Sequence, residues 1–178
     1  MCGVYNFASL KPKIGRNVYI DPLARVIGDV TIGDESAILF GAIVRADSGR
    51  VIIGKKVAIL ENVIIEAPGG YDVIIGDNTI ISHGAIIHGA QIGSRCLIGI
   101  GAIVLDGAKV CNESIVASGA LVPPGKIIES RKLVMGIPGK VVRDVVDDDL
   151  KRLDMELEEV MNKKKEYFKI FSSYSELP

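Results

Sequence analysis

The sequence predicts an all-β protein, a parallel β-helix of about six triangular coils, followed by a single C-terminal α-helix. Two observations carry this prediction: β-branched residues return at every sixth position along most of the chain, and helical spacing replaces that pattern near residue 147. A period of six does not fit one face of an α-helix, whereas short strands separated by corners bring every sixth residue into the same orientation.

The clearest run of the six-residue pattern crosses the centre of the chain. Its positions are Ile74, Ile80, Ile86, Ile92, Ile98, Val104, Val110, Val116 and Val122. A small residue stands two positions before most of them, as a narrow core requires. We therefore expect these β-branched side chains to point into the prism.

The same step covers the earlier chain in two blocks, from Ile14 to Val44 and from Ile52 to Ile64. Extra residues enter after each block, and each block contains a multiple of three repeats. If three repeats form one coil, both insertions leave the prism at the same corner. The second insertion, APGGYD at residues 67–72, is rich in Pro and Gly and indicates a loop.

These patterns divide the chain into four segments. Residues 1–13 form an irregular N-terminal segment, residues 14–125 the β-helix, residues 126–146 a connector and residues 147–172 the α-helix. The helix has a stripe of apolar residues, with three aspartates at its start and three lysines later, which is the charge order that a helix dipole favours. We expect this stripe to cover one flank of the prism.

Residues next to the inward positions should point out of the prism. In coils three and four the predicted outward residues are Ile53, Ile59, Ile65, Ile75, Ile81 and Ile87. One helix can cover only one flank, so we expect the other isoleucines to be buried against further subunits. A homotrimer whose interface centres on coils three and four is the expected assembly.

The charge of the chain argues against two classes of partner. A formal net charge of -1 and a pI near 6.1 do not fit a protein that binds nucleic acid or a membrane surface by electrostatics. The sequence has neither a signal-peptide pattern nor an apolar run long enough to span a bilayer. A cytoplasmic location is therefore expected.

The only two histidines lie inside the central repeat. His88 and Glu66 have the same offset from the repeat positions of coils four and three, so they should stack about 4.8 Å apart. His83 should stack on Glu61 in the same way. A corner separates the two histidines, so one chain should not bring both to the same metal ion.

Across a subunit interface, His83 of one chain could approach Glu66 and His88 of the next. Two imidazoles and one carboxylate suit Zn²⁺, or alternatively Fe²⁺ or Mn²⁺, with a bound water as the reactive species. The alternative interpretation is that both histidines are hydrogen-bonding interface residues and that Glu66 is a paired or solvated carboxylate.

Motifs along nearly the whole chain resemble the γ-class carbonic anhydrase family. They are IGDVTIG at residues 27–33, SHGAIIHG at residues 82–89 and GIPGKVVR at residues 136–143. That family consists of homotrimers of left-handed β-helices that bind zinc or iron through three histidines at the subunit interface. The resemblance therefore implies a left-handed coil, metal ligands at His83 and His88, and support of the site by Arg45 and Asp47, which match the family's Arg-x-Asp, with Glu61 beside them.

The chain departs from the family pattern in one coil. Glu66 stands where the family has its first metal histidine, and Ala58 and Leu60 stand where it has the Asn and Gln that orient the bound hydroxide and substrate. The resemblance thus implies a degenerate zinc or iron site at Glu66, His83 and His88, with CO₂ hydration that is weak or lost.

Three functions remain open at this point. The first is this γ-carbonic anhydrase-like trimeric metalloprotein. The second is a hexapeptide-repeat acyltransferase in which His83 or His88 is the base at a subunit interface, acting on a small-molecule substrate. The third is a non-catalytic trimeric scaffold. The sequence assigns no catalytic residue, because each function uses the same histidines differently.

Overall fold

The computed structural model describes the backbone of residues 3–174 and the side chains of residues 3–170. Within this range the chain forms short strands and one long helix. The elements are β1 (Val4–Tyr5), β2 (Lys13–Ile14), β3 (Tyr19–Ile20), β4 (Arg25–Ile32), β5 (Ala37–Ile38), β6 (Ile43–Ile53), β7 (Ala58–Ile59), β8 (Ile64–Glu66), β9 (Val73–Ile75), β10 (Ile80–Ile81), β11 (Ile86–His88), β12 (Gln91–Ile92), β13 (Leu97–Ile98), β14 (Ile103–Val104), β15 (Lys109–Val110), β16 (Ile115–Val116), β17 (Leu121–Val122), β18 (Ile127–Ile128), β19 (Lys132–Met135), β20 (Lys140–Asp144) and α1 (Asp147–Tyr174).

The strands form the three flanks of a left-handed parallel β-helix, as the sequence predicts. The helix-covered flank contains β3, β5, β7, β10, β13, β16 and β19. The histidine flank contains the first halves of β4 and β6 with β8, β11, β14 and β17. The glycine flank, named for the glycines that follow its inward residues, contains the second halves of β4 and β6 with β9, β12, β15 and β18.

Both insertions leave the prism at one corner, between the histidine flank and the glycine flank. The first is absorbed by β6, which continues around the corner as one extended strand. The second is the loop between β8 and β9, as expected from its Pro and Gly content. Because three repeats make one coil, extra residues at this corner leave the strand pairing of the flanks unchanged.

A column of β-branched residues fills the prism. Its members are Val26, Ile32, Ile38, Val44, Ile53, Ile59, Ile65, Ile75, Ile81, Ile87, Ile92, Ile98, Val104, Val110, Val116, Val122, Ile128 and Val134, each at most 2% exposed. Small residues such as Ala85, Ala102 and Ala120 stand two positions before them and are also buried. This alternation of large and small side chains fills a narrow core.

The predicted orientation of coils three and four is wrong by one residue. The predicted outward residues Ile53, Ile59, Ile65, Ile75, Ile81 and Ile87 point inward, and their neighbours Ile52, Ala58, Ile64, Ile74, Ile80 and Ile86 point outward. The step from Ile87 to Ile92 is five residues, so a strict period of six slips at that corner. Since both phases carry isoleucine, the slip is invisible in the sequence, and a slip of one residue reverses the orientation of a whole strand.

The regular coils also extend beyond the expected boundary at residue 125. The inward column continues through Ile128 and Val134, and the β-helix has about seven turns instead of about six. The Pro123-Pro124-Gly125 sequence forms an ordinary corner, in which the Gly125 amide donates to the carbonyl of Asp106 at 2.8 Å. Residues 126–146, expected to be a connector, therefore contribute β18, β19 and β20.

Helix α1 covers one flank, as expected from its apolar stripe. Leu153, Leu157 and Met161 are buried against outward residues of the helix-covered flank, which are Tyr19, Ala37, Leu39, Ala58, Leu60 and Ile80. Leu150 of the same stripe is also buried. Phe171, which the helical spacing also places on this stripe, has a side chain outside the described residues. No helix in the described part of the chain is long and apolar enough to cross a membrane.

Charged residues along one corner fix the position of α1 on the prism. This corner, between the glycine flank and the helix-covered flank, carries residues with positive φ such as Lys56 and Arg95. Its ion pairs with the helix are Arg131–Asp147, Arg95–Asp154 at 2.7 Å and Lys56–Glu158 at 2.9 Å. Near the other end of the prism, the buried Lys164 ammonium donates to the carbonyl of Glu35 at 2.7 Å.

The first turn of α1 should make the stability of the protein depend on pH. Arg143 and the backbone amide of Val146 donate to the Asp149 carboxylate at 2.6 and 3.0 Å, and these bonds lower the pKa of Asp149 from 3.8 to about 2. A depressed pKa in the folded state gives stability that is present above the unfolded pKa and lost as the pH falls through the folded value.

We therefore expect Asp149→Asn to lower Tm at neutral pH, and the difference from wild type to shrink as the pH falls from 3.8 towards about 2. Thermal unfolding followed by circular dichroism over this pH range measures it. Asp148→Asn is the matched control, because that exposed carboxylate pairs only with Lys151 among the described residues and should show a much smaller pH-dependent difference. A constant Tm difference at all pH values would contradict the prediction.

Candidate functional site

His83 and Glu61 face each other at the corner between the helix-covered flank and the histidine flank. Each stands two residues after an inward isoleucine of its coil, and His83 Nδ1 lies 2.7 Å from Glu61 Oε2. The expected stacking is therefore observed. The contact is off the axis of a hydrogen bond, so Glu61 Oε2 is a buried oxygen without a hydrogen-bond partner among residues 3–170. The imidazole is half-exposed, at 51%.

A cavity of about 250 Å³ opens beside this pair, between the corner and helix α1. Leu60 lines it from the prism, and Glu159, Lys163 and Tyr167 line it from the helix. Glu159 and Lys163 form an ion pair at 2.7 Å. The cavity thus combines an apolar floor with charged walls next to His83.

Arg45, Glu66 and His88 form a polar column on the outside of the histidine flank. Strand pairing places Glu66 between the other two, opposite Arg45 in β6 and opposite His88 in β11. The predicted stacking of Glu66 and His88 is confirmed, with Glu66 Oε2 at 3.8 Å from His88 Nε2. Arg45 forms an ion pair with Glu66 Oε1 and another with Asp47 at 2.9 Å, and these contacts raise the pKa of Arg45 further.

Asp106 completes the surroundings of His88, and the sequence analysis missed it. Its Oδ1 atom lies 2.5 Å from His88 Nδ1. The two residues are eighteen positions apart, which is three hexapeptides of a strict repeat, whereas strand pairing here joins residues seventeen apart. The spacing of eighteen points towards Asp106, but the structure is needed to show the contact.

Exposed apolar residues run beside the polar column. The row consists of Ile43, Ile64, Ile86 and Ile103, each of which comes directly before an inward residue, whereas the polar column follows it. Ile43 and Ile64 are 39% and 41% exposed. On the glycine flank, Ile52 and Ile74 are exposed to a similar degree. Rows of exposed isoleucine on a monomer are typical of surfaces that another subunit covers.

The two residues that stand in place of the family's orienting Asn and Gln are buried under α1. Ala58 is fully buried and Leu60 is 4% exposed, and both pack in the cluster formed with the helix. Among the described residues of one chain, no three His, Cys, Asp or Glu side chains converge on a point that could hold a metal ion. His83 and His88 belong to separate clusters, so a shared site would need two chains.

Comparison with known proteins identifies the family. The model for the bacterial transferase hexapeptide, six repeats, matches residues 11–46. A protein of Methanocaldococcus jannaschii named "probable carbonic anhydrase" is 41% identical over 140 residues, which cover 79% of this chain and 88% of the relative. The chain belongs to the γ-class carbonic anhydrase-like family of hexapeptide-repeat proteins. A carbonic anhydrase of Geobacillus kaustophilus is 34% identical over 164 residues, which cover 92% of this chain and 90% of the relative.

The fold of this carbonic anhydrase-like chain is also found among solved structures. A Bacillus cereus protein, described provisionally as an acetyltransferase, superimposes with a TM-score of 0.91 at 31% identity and covers 94% of this chain and 97% of its own. Proteins similar to this chain in sequence or in structure are thus described with either activity. Because one fold carries different chemistries, the site residues must decide the function.

Proposed function

We propose that the protein is a homotrimeric metalloprotein of γ-carbonic anhydrase type, with a degenerate metal site at each subunit interface. His83 of one subunit, with Glu66 and His88 of the next, would hold Zn²⁺ or Fe²⁺. The observation that carries the proposal is the register pairing of Glu66 with His88, which sets Oε2 and Nε2 3.8 Å apart beside a row of exposed isoleucines.

The chemistry of these donors fits such an ion. Imidazole nitrogen and carboxylate oxygen are both ligands of zinc and of non-haem iron. Two donors in a tetrahedral zinc site are about 3.3 Å apart, so the observed separation needs only a small adjustment of the side chains. Arg45 already neutralises the other oxygen of Glu66, and Arg45, Asp47 and Glu61 would support the site from both sides of the interface.

CO₂ hydration is expected to be weak or lost. When bound, the metal would supply Lewis-acid activation of a water molecule. A carboxylate ligand in place of a neutral imidazole lowers the net positive charge available for that activation. Leu60 has no hydrogen-bonding group to orient a reacting oxygen, and its burial under α1 holds it in the apolar cluster. The residues present thus favour metal binding over fast hydration.

An acyltransferase is the second candidate. The Bacillus cereus structure at 31% identity supports it, as does the cavity of about 250 Å³ beside His83. In that function His83, with Glu61 against its ring, would take a proton from an acceptor hydroxyl or amine. A scaffold without either activity would bind neither metal nor coenzyme A.

Elemental analysis of protein purified without chelator or affinity metal tests the first proposal. We expect close to one zinc or iron per chain, and CO₂ hydration by stopped flow far below that of a typical carbonic anhydrase. The Glu66→Ala variant should lose the metal, whereas Glu129→Ala, an exposed carboxylate on the glycine flank, should retain it. Absence of metal after incubation with excess zinc would overturn the proposal, and coenzyme A binding would then separate the other two functions.

A further inference from the structure

We infer that Asp106 is a positioning residue that fixes the tautomer of His88 and leaves its Nε2 lone pair directed at Glu66. The inference deepens the proposed function and rests on it for the role of His88 as a ligand. The tautomer itself is a property of the metal-free chain. Neither the sequence analysis nor the strand pairing of the histidine flank assigns Asp106 to the site.

The direction of the hydrogen bond follows from the chemistry of the two groups. A carboxylate has only acceptor atoms, whereas a neutral imidazole has one N–H donor and one lone pair. Asp106 Oδ1 lies 2.5 Å from His88 Nδ1, so Nδ1 must carry the proton. A charge-assisted bond of this length is among the stronger hydrogen bonds in proteins. When the ring is neutral, His88 Nε2 therefore carries the lone pair, on the side of the ring that faces Glu66 Oε2.

The corner around Asp106 keeps its carboxylate against His88. Gly89, directly after the histidine, has a φ of 56°, and a Cβ atom at this position would overlap Asp106 Oδ1. The backbone of the aspartate is also fixed, because its carbonyl accepts a bond from the Gly125 amide at 2.8 Å. Only a glycine at position 89 leaves room for the contact between His88 and Asp106.

The inserted loop closes the same corner from outside. Tyr71 lies so near that a Cβ atom on Gly89 would be 2.9 Å from its Cβ, and one on Gly107 would be 3.2 Å from its ring. Arg50 anchors the end of the loop, because its guanidinium pairs with Asp72 at 2.6 Å. The loop thus packs across the glycines that follow His88 and Asp106 and restricts the space in which their side chains can rearrange.

Carboxylates that accept a hydrogen bond from a metal-ligating histidine orient the ring and raise its basicity, and their removal typically weakens metal affinity about 10- to 100-fold. Asp106 is the group in that position for His88. Its effect should therefore appear both in the metal-free tautomer and in the affinity for metal. A purely structural role would change neither without also changing the fold.

The test uses full-length protein with ¹⁵N-labelled histidine rings, in metal-free form, and compares wild type with Asp106→Ala and Asp106→Asn. The protein has two histidines, so a His83→Gln variant assigns their signals. At a pH at which the ring is neutral, we expect the wild-type His88 spectrum to show a protonated Nδ1 and an unprotonated Nε2. Asp106→Ala should lose this pattern, and Asp106→Asn should also fail to enforce it, because its amide can donate to Nδ1 as well as accept from it.

The matched control is Asp29→Ala, which removes a carboxylate at the same corner, three coils from His88 and four from Asp106, and should leave His88 unchanged. Zinc titration adds the second arm, in which Asp106→Ala should bind about 10- to 100-fold more weakly than wild type. A protonated Nε2 in wild type, or an unchanged tautomer in Asp106→Ala, would overturn the inference whatever the metal result. Conversely, if wild type binds no metal, the tautomer experiment still decides the role of Asp106 and only the proposed function fails.

Discussion

Replacing Ile53 by Ala should lower the free energy of unfolding by about 2–5 kcal/mol, because the change leaves a cavity in a close-packed core. Ile53 is 1% exposed and points into the prism, whereas its neighbour Ile52 is 37% exposed on the glycine flank. Ile52→Ala is the matched control and should cost less, because this side chain lies outside the close-packed column even where another subunit covers it. The two changes remove the same atoms from adjacent residues, so their difference compares an inward with an outward position.

Urea unfolding followed by circular dichroism measures both variants, and equal m-values would show that the comparison is valid. The orientation expected from a strict period of six gives the opposite result, with Ile52 inward and Ile53 outward. A larger loss of unfolding free energy for Ile52→Ala than for Ile53→Ala would therefore support that orientation and contradict the structure. Because the helix covers another flank, its docking should not contribute to either value.

Each hexapeptide has an inward position and a neighbouring outward position, which are the two phases of the repeat. The sequence predicts the core correctly where only one of these phases is apolar, and it fails where both are. In the first two coils and from Ile92 onwards, only one of the two phases carries a regular β-branched residue, and the predicted inward residues are correct. In coils three and four both phases carry isoleucine, and the five-residue step before Ile92 leaves no mark in the composition. The inward and outward isoleucines of these coils are chemically identical, so only the three-dimensional register separates them.

The one-residue error in the predicted inward positions affected the predicted contacts of the candidate site less than it affected the core. Glu66 and His88 lie in coils that slip together, so their relative offset, and hence their pairing, was predicted correctly. Asp106 has the same offset as His88 in a strict period of six, but it lies beyond the five-residue step and stands one position past the register partner of His88, and its contact was not predicted. Pairings within one register block can be read from spacing, whereas those that cross an irregular corner require the structure.

His83→Ala and His88→Ala should each abolish metal binding while leaving the trimer intact, because neither side chain belongs to the core. His83 is half-exposed and His88 is partly exposed, so we expect no large change in Tm. Elemental analysis and size-exclusion chromatography with light scattering measure the two quantities. Dissociation of the trimer by either change would assign the histidines a structural role instead.

Mixing these two inactive variants should restore metal binding, and this result would place the site between subunits. In a mixed trimer, an interface that takes Glu66 and His88 from the His83→Ala chain and His83 from the His88→Ala chain has all three ligands. Random assembly of equal amounts from co-expression gives about one quarter of the interfaces this composition. The metal content should rise accordingly from zero.

Co-expression of His88→Ala with Glu66→Ala is the decisive control for this experiment. Glu66 and His88 pair within one chain, so every interface in that mixture lacks one of them, and metal binding should not recover. Recovery in the control would mean that Glu66 and His88 of different chains act together, contrary to their register. Failure of the first mixture, with trimers confirmed to be mixed, would show that His83 does not complete the site. The two mixtures therefore distinguish a site shared between subunits from a site within one chain. The distinction depends on the pairing of Glu66 with His88 in adjacent coils of one chain.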